Sequence, residues 1–210
     1  MTKIKICGIT GKDDAASAAL LGADLLGFVF YKGSKRAIDA EGACSIVKGV
    51  PRGIVRVGVF VNEGADTILA TAEKCGLDAA QLHGDETPDL CGKLKGKIKV
   101  IKAFRIRSAD SLDGVDGYDA DYYLFDTFRE DAFGGTGKVF SWDMLKEREF
   151  SRPVILSGGL NADNVCGAIK ACSPFGVDVS SGIEASPGKK DIEKMRRFVE
   201  NVKRCDNESK

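Results

Sequence analysis

The sequence is poor in several features that would narrow its function early. Of its 210 residues one is histidine, one is tryptophan and five are proline. A single imidazole leaves the chain poorly equipped for metal-dependent chemistry that needs more than one imidazole ligand, so no metal is expected. An excess of one charge is missing too: 31 basic and 31 acidic side chains cancel, and no basic run supplies the electrostatic footprint of a nucleic-acid binder. No stretch approaches the roughly 18–20 apolar residues that cross a bilayer, and the start MTKIKICGIT lacks the charged, apolar and small-residue succession of a signal peptide. The expectation is a cytoplasmic protein with neither a membrane nor a nucleic acid as partner. Seven cysteines are present, yet they are odd in number, scattered and never spaced C-x-x-C. That pattern suggests neither a disulfide framework nor a zinc site, and most of these thiols are expected to be small buried hydrophobes.

What the chain has is alternation. Short β-branched or apolar runs exchange with segments of helical period along its whole length, which reads as repeated βα units around a parallel sheet. The runs are Lys3–Cys7, Leu25–Phe30, Ile54–Val61, Ala79–His83, Lys97–Phe104, Tyr122–Asp126, Pro153–Ser157 and Gly176–Val179. Helices are expected near Lys12–Leu21, Ala40–Lys48, Ala65–Cys75, Pro88–Leu94, Ser108–Val115, Ser141–Lys146, Ala162–Ala171 and Asp191–Arg204. Start signals support several: Thr10 or Asp13 before the first, Asn161 before the seventh, and Pro88 in the first turn of the fourth. Eight strands and eight helices in 210 residues match a closed (β/α)8 TIM barrel, an α/β fold, in count and length. An open doubly wound sheet more usually has about five or six strands. One domain over residues 1–210 is expected, with the polar end CDNESK at 205–210 frayed.

In such a barrel the C-terminal ends of the strands feed the loops that build the active site, so what stands at each end matters. Alternation puts Lys3, Lys5 and Cys7 on one face of the first strand and Ile4 and Ile6 on the other. With the isoleucines toward the helices, Cys7 points into the mouth, as an inert thiol or a working one. Arg36, after Tyr31-Lys32-Gly33-Ser34-Lys35, belongs to a solvated basic loop or offers a planar fork to a carboxylate. Gln81-Leu82-His83-Gly84 brings the lone histidine to the mouth, in a structural or a functional role. Asp126 ends the run Tyr122-Tyr123-Leu124-Phe125. It caps the following loop or, partly desolvated, keeps a proton that it can donate. The glycine-rich Phe133-Gly134-Gly135-Thr136-Gly137-Lys138 reads as a turn, a lid or a backbone approach to ligand. The last two strands end in Leu156-Ser157-Gly158-Gly159-Leu160-Asn161 and Val179-Ser180-Ser181-Gly182-Ile183. Glycines and hydroxyls in those two loops form either a phosphate site, helped by the N-terminus of a short extra helix, or plain turns.

Through Lys5-Ile6-Cys7-Gly8-Ile9-Thr10, Ser34-Lys35-Arg36, Gly58-Val59-Phe60-Val61-Asn62, Gln81-Leu82-His83-Gly84, Asp126, Gly134-Gly135-Thr136-Gly137, Leu156-Ser157-Gly158-Gly159-Leu160 and Asp178-Val179-Ser180-Ser181-Gly182-Ile183-Glu184, the chain resembles the phosphoribosylanthranilate isomerase family of tryptophan biosynthesis. The motifs follow the family's order over nearly the whole chain. The resemblance implies a (β/α)8 barrel that turns N-(5'-phosphoribosyl)anthranilate into 1-(2-carboxyphenylamino)-1-deoxyribulose 5-phosphate by an Amadori rearrangement, the third step from chorismate to tryptophan. No metal or organic cofactor is implied, and the partner is a small phosphosugar. Carried over position by position, Cys7 is the general base, Asp126 the general acid and Arg36 the holder of the anthranilate carboxylate. Gly158, Gly159, Ser180, Ser181 and Gly182 surround the phosphate, and His83 lines the site. One departure stands out: Lys35 occupies the place where the family often has the proline of Ser-Pro-Arg, which loosens that loop's φ.

Two related enzymes fit less well. A histidine-pathway sugar isomerase calls for an aspartate at Cys7, and an indole-glycerol-phosphate synthase for an extension before the first strand. A non-catalytic phosphate-binding barrel or thiol sensor would keep the glycine and serine loops but would need neither Asp126 nor Arg36. Nothing in these residues sets an oligomeric state.

Overall fold

A computed structural model describes residues 1–127, 142–146 and 148–208. Its central strands are β1 Lys3–Cys7, β2 Leu25–Val29, β3 Val55–Phe60, β4 Ala79–Leu82, β5 Lys99–Ile106, β6 Tyr122–Thr127, β7 Val154–Leu156 and β8 Gly176–Val179. They pair in parallel, each with the next, and β8 returns to β1 to close a barrel. At that closure Lys5 stands opposite Asp178 and Ile6 opposite Val179. The expected (β/α)8 architecture is the observed one.

Period-two alternation sends each strand's side chains to two cores. Ile4, Ile6, Leu26, Phe28, Tyr123 and Phe125 point outward into the layer shared with the helices. Leu25, Val57, Ala79, Ile101, Ala103, Leu124 and Ile155 fill the inside. Cys7, Val29 and Val59 form a smaller cluster at the C-terminal end of that interior. Around the barrel lie α1 Lys12–Leu21, α2 Ala40–Val47, α3 Ala65–Cys75, α4 Pro88–Leu94, α5 Asp143–Lys146, α6 Val165–Cys172 and α7 Ile192–Glu208. In α7 the buried residues Met195, Phe198, Val199, Val202 and Cys205 recur at helical spacing and form its barrel-facing stripe.

Several expectations are corrected. Instead of a helix over Ser108–Val115, two 3-10 turns, Ala109–Leu112 and Val115–Gly117, connect β5 to β6. Gly114 at φ 77° interrupts the segment, and its serines and aspartates compete for backbone hydrogen bonds that a helix would need. The first helix starts after Gly11 without a side-chain cap, rather than at Thr10 or Asp13. The seventh expected helix begins only at Val165, because Asn161 Oδ1 accepts the N–H groups of Asp163 and Asn164 and holds those residues in a turn. The chain end is tied down through Glu208 rather than frayed from Cys205: Cys205 is buried in α7, and Asp206 accepts hydrogen bonds from Thr2. Of the helix expected over Ser141–Lys146, Asp143–Lys146 is present; Ser141 and the glycine-rich 133–138 lie outside the described residues.

Two further features depart from the sequence reading, a hairpin it did not include and disulfides it did not expect. A hairpin follows β8, formed by β9 Glu184–Ser186 and β10 Lys189–Lys190, with Gly188 at φ 84° in its turn. Four cysteines expected to be separate buried thiols are instead joined, Cys44 to Cys75 and Cys166 to Cys205, with Cα atoms 4.3 and 5.7 Å apart. Cys7, Cys91 and Cys172 stand outside these two bridges. Each bridge ties neighbouring helices, α2 to α3 and α6 to α7, a proximity created by the circular order of βα units rather than by local cysteine spacing.

Candidate active site

At the end of β1, Cys7 faces inward and is 8% exposed. Two residues earlier on the same face lies Lys5, fully buried. Lys5 Nζ donates to Asp178 Oδ1 at 2.8 Å, and Ser157 Oγ donates to Asp178 Oδ2 at 3.1 Å. Gly27 on β2 makes the room for this stack: a Cβ there would stand 2.7 Å from Cys7 Sγ and 3.2 Å from Lys5 Nζ. From the hairpin, Lys190 Nζ donates to the Cys7 carbonyl at 2.6 Å, the Ser180 carbonyl at 3.2 Å and Glu184 Oε1 at 3.1 Å. Burial pushes the Cys7 thiol above its ordinary value; Lys5 and Lys190 oppose that rise and Asp178 reinforces it. Cys91, pushed up to about 11 by burial, is the inert kind of thiol.

Across the mouth, His83 follows β4 directly. Its Nε2 lies 3.2 Å from Asp126 Oδ2, and its Nδ1 lies 2.7 Å from Gln81 Nε2. With the Gln81 amide so assigned, Nδ1 accepts, and the ring proton sits on Nε2 and is donated to Asp126. The His83 and Asp126 side chains are 25% and 27% exposed. The apolar run before Asp126 therefore shields it less than its composition suggests. Tyr122 and Leu124 share the inward face, but Phe125 belongs to the helix layer.

Arg36 reaches the rim beside Cys7. Its Nε and Nη2 donate to Glu184 Oε1 and Oε2, each at 2.7 Å. This bidentate pair leaves three of the five guanidinium N–H groups outside it. Burial alone would raise the Glu184 carboxyl, but the Arg36 hydrogen bond and Lys190 hold it below the ordinary glutamate range. The loop keeps its shape without the family's proline: Arg36 N donates to Ser34 Oγ at 3.1 Å and Ile38 N to the Val29 carbonyl at 2.9 Å. Gly8, at φ 77°, is needed here, because a Cβ would stand 2.7 Å from Arg36 Cδ and 3.1 Å from Ser180 Oγ.

The loops after β7 and β8 meet each other. Gly158 and Gly159 adopt φ of 88° and 71°, and a Cβ on Gly182 would collide with the Leu160 carbonyl. Ser180 Oγ is buried there without a hydrogen-bond partner among the described residues, just before the single 3-10 turn Ser181–Ile183. The sequence-derived residues thus fall into linked groups on one rim: Cys7 with Arg36 and Ser180, His83 with Asp126, and the two glycine loops together. Sequence reasoning assigned no role to Lys5, Asp178, Glu184, Lys190 or Gln81. Alternation already placed Lys5 below Cys7; Lys190 carried no signal, since its hairpin was not read.

The family profile described as N-(5'phosphoribosyl)anthranilate (PRA) isomerase matches residues 4–201. The chain belongs to this family. It is similar to an N-(5'-phosphoribosyl)anthranilate isomerase from Pelobacter propionicus, 46% identical over 209 residues that make up 100% of this chain and 99% of that one. It is also similar to the crystal structure of phosphoribosyl anthranilate isomerase from Thermotoga maritima, with TM-score 0.92 and 44% identity over 97% of this chain and 99% of that one. A further phosphoribosyl anthranilate isomerase structure, at TM-score 0.87 and 43% identity over 97% and 99% of the two chains, is a complex with reduced 1-(o-carboxyphenylamino)-1-deoxyribulose 5-phosphate. As a member of the phosphoribosylanthranilate isomerase family, the chain is an enzyme of tryptophan biosynthesis.

Proposed function

We propose that this barrel mouth isomerises N-(5'-phosphoribosyl)anthranilate with Asp126 as general acid and Cys7 as general base. Asp126 gives a proton to the ribosyl ring oxygen; the C1'–O bond breaks and the anilino nitrogen lone pair forms the iminium. Cys7, as thiolate, takes the C2' proton, and the released electron pair makes the C1'=C2' enolamine. A proton returns to C1' while the 2'-hydroxyl gives up its own to solvent, and its oxygen becomes the C2' ketone of the product. Each proton transfer by a positioned side chain contributes about 10²–10⁴-fold.

The observation that carries this reading is the placement of both groups on the inward face, at the same end of the barrel, Cys7 closing β1 and Asp126 near the end of β6. Around them, Arg36 is held by Glu184 so that its other N–H groups are available to the anthranilate carboxylate. Gly158, Gly159, Ser180, Ser181 and Gly182 receive the phosphate, for which the buried Ser180 hydroxyl is a ready donor. His83 orients Asp126. The reading takes 1–210 as one domain acting in the cytoplasm on a small phosphosugar, with no nucleic acid involved; among the described residues no helix is long and apolar enough to cross a membrane.

The test is turnover of Cys7→Ala and Asp126→Asn, followed by loss of substrate fluorescence, with circular dichroism to check the fold. Each substitution is expected to lower kcat by about 10²–10⁴-fold. A folded variant with near-normal kcat removes that residue from its role.

A further inference from the structure

A base made from a thiol faces an energetic problem at neutral pH. A free cysteine near 8.5 is mostly protonated, and burial pushes Cys7 higher. Something inside the barrel must favour the thiolate, and the groups able to do so can be named. Lys5 on β1 lies two residues before Cys7 on the same inward face, beside the same Gly27 gap, and pairs with Asp178 on β8. Lys190 on β10 holds the Cys7 carbonyl. Arg36, on the loop after β2, approaches from the rim and is itself paired with Glu184 on β9. β2 contributes only Gly27 and the apolar Val29 beside Cys7.

Of these, Lys5 has the geometry to act on the sulfur. It is fully buried, its Nζ and Cys7 Sγ both border the gap left by Gly27, and its carboxylate partner is anchored from behind by Ser157. Burial alone would lower the Lys5 ammonium, yet Asp178 and Cys7 hold it above the ordinary lysine value, so it carries its charge through the neutral range. Lys190 is occupied by Glu184 and two backbone carbonyls, and Arg36 by both Glu184 oxygens; Lys5 has Asp178 as its one carboxylate and lies on the same face as the sulfur.

We propose that Lys5 is the positioning residue of the base: held in place by Asp178 and Ser157, its ammonium donates a hydrogen bond to Cys7 Sγ and makes the thiolate accessible for removal of the C2' proton. This rests on the assignment of Cys7 as base. The thiol proton leaves to solvent before substrate is deprotonated, and Lys5 keeps its own proton throughout. It touches no reacting carbon and works only through the sulfur.

The experiment is the pH dependence of Cys7 alkylation by iodoacetamide, read by mass spectrometry on the peptide that contains Cys7, in the parent protein, Lys5→Met and the charge-balanced Lys5→Met/Asp178→Asn. Removing an opposite charge in contact is expected to move the Lys5→Met midpoint upward by about 1–3 pH units. The rising limb of kcat against pH should move in the same direction, so turnover lost at neutral pH is partly recovered at alkaline pH. The double variant guards against misfolding caused by an unpaired Asp178; its midpoint is expected between those of the parent and Lys5→Met. A folded Lys5→Met or double variant with the parent midpoint overturns the proposal. That outcome is distinct from failure of the base assignment, which retained turnover in Cys7→Ala would reveal whatever the alkylation midpoint does.

Discussion

The two sides of the barrel mouth are built from different physics. On the β1–β8 side, Cys7 sits among buried charges, Lys5 with Asp178 and Lys190 with Glu184, with the partly exposed Arg36 closing on Glu184 from the rim. On the β4–β6 side, His83 and Asp126 form a single contact with each about a quarter exposed. A buried thiol is a poor base unless charge supports it, whereas a carboxyl near solvent can be resupplied with protons. The contrast teaches that the side asked to stabilise an anion carries the costly buried ion pairs. The other side stays wet.

Among single substitutions, removing one half of the Lys5–Asp178 pair should have the largest effect on stability. Asp178→Ala strands a buried ammonium and is expected to cost about 3–5 kcal/mol, measured by urea unfolding; a loss below 1 kcal/mol would erase the contrast between the sides. Reduction of the two bridges acts outside both halves and should leave the contrast untouched. Closing loops with sequence separations of 31 and 39 residues, each bridge is expected to contribute about 3–4 kcal/mol. Reductant should lower Tm while kcat at 25 °C stays unchanged. Under denaturing, non-reducing conditions the thiol titre should be three, for Cys7, Cys91 and Cys172; a titre of seven would remove the bridges.

Acid sharpens the comparison on the charged side. The folded Glu184 carboxyl lies below its ordinary value, so its contribution is fully present above the unfolded glutamate pKa of about 4.3 and fades as pH falls through the folded value. Each unit of displacement corresponds to about 1.4 kcal/mol. Glu184→Gln should therefore flatten part of the acid limb in a stability–pH series; an identical series would count against the triad with Arg36 and Lys190. Arg36→Met should chiefly raise KM, by about tenfold or more, with a smaller change in kcat; an unchanged KM would count against the carboxylate clamp. The smallest stability effect is expected from His83→Asn, under about 1 kcal/mol because the His83–Asp126 contact is partly solvated.

Legibility in the sequence followed the range of the interactions involved. β1 and β8 were located to the residue because their apolar alternation is local, and the inward face of Cys7 followed from the two isoleucines beside it. The segment at 108–117 misled, since its apolar positions suggested a helix while Gly114 and the aspartates made turns. At the site, Cys7 and Asp126 could be found because they end strands. Glu184 and Lys190 could not be assigned, because their meaning depends on a hairpin folding back over the mouth.

By itself, the order of residues determined the repeating βα pattern, the faces of the strands and the identity of the side chains at the barrel's C-terminal end. Those follow from backbone periodicity and steric preference acting over a few residues. Closure of the ring decided the rest. It alone set Asp178 against Lys5 and Glu184 against Arg36, because residues far apart in the chain meet only when β8 hydrogen-bonds to β1.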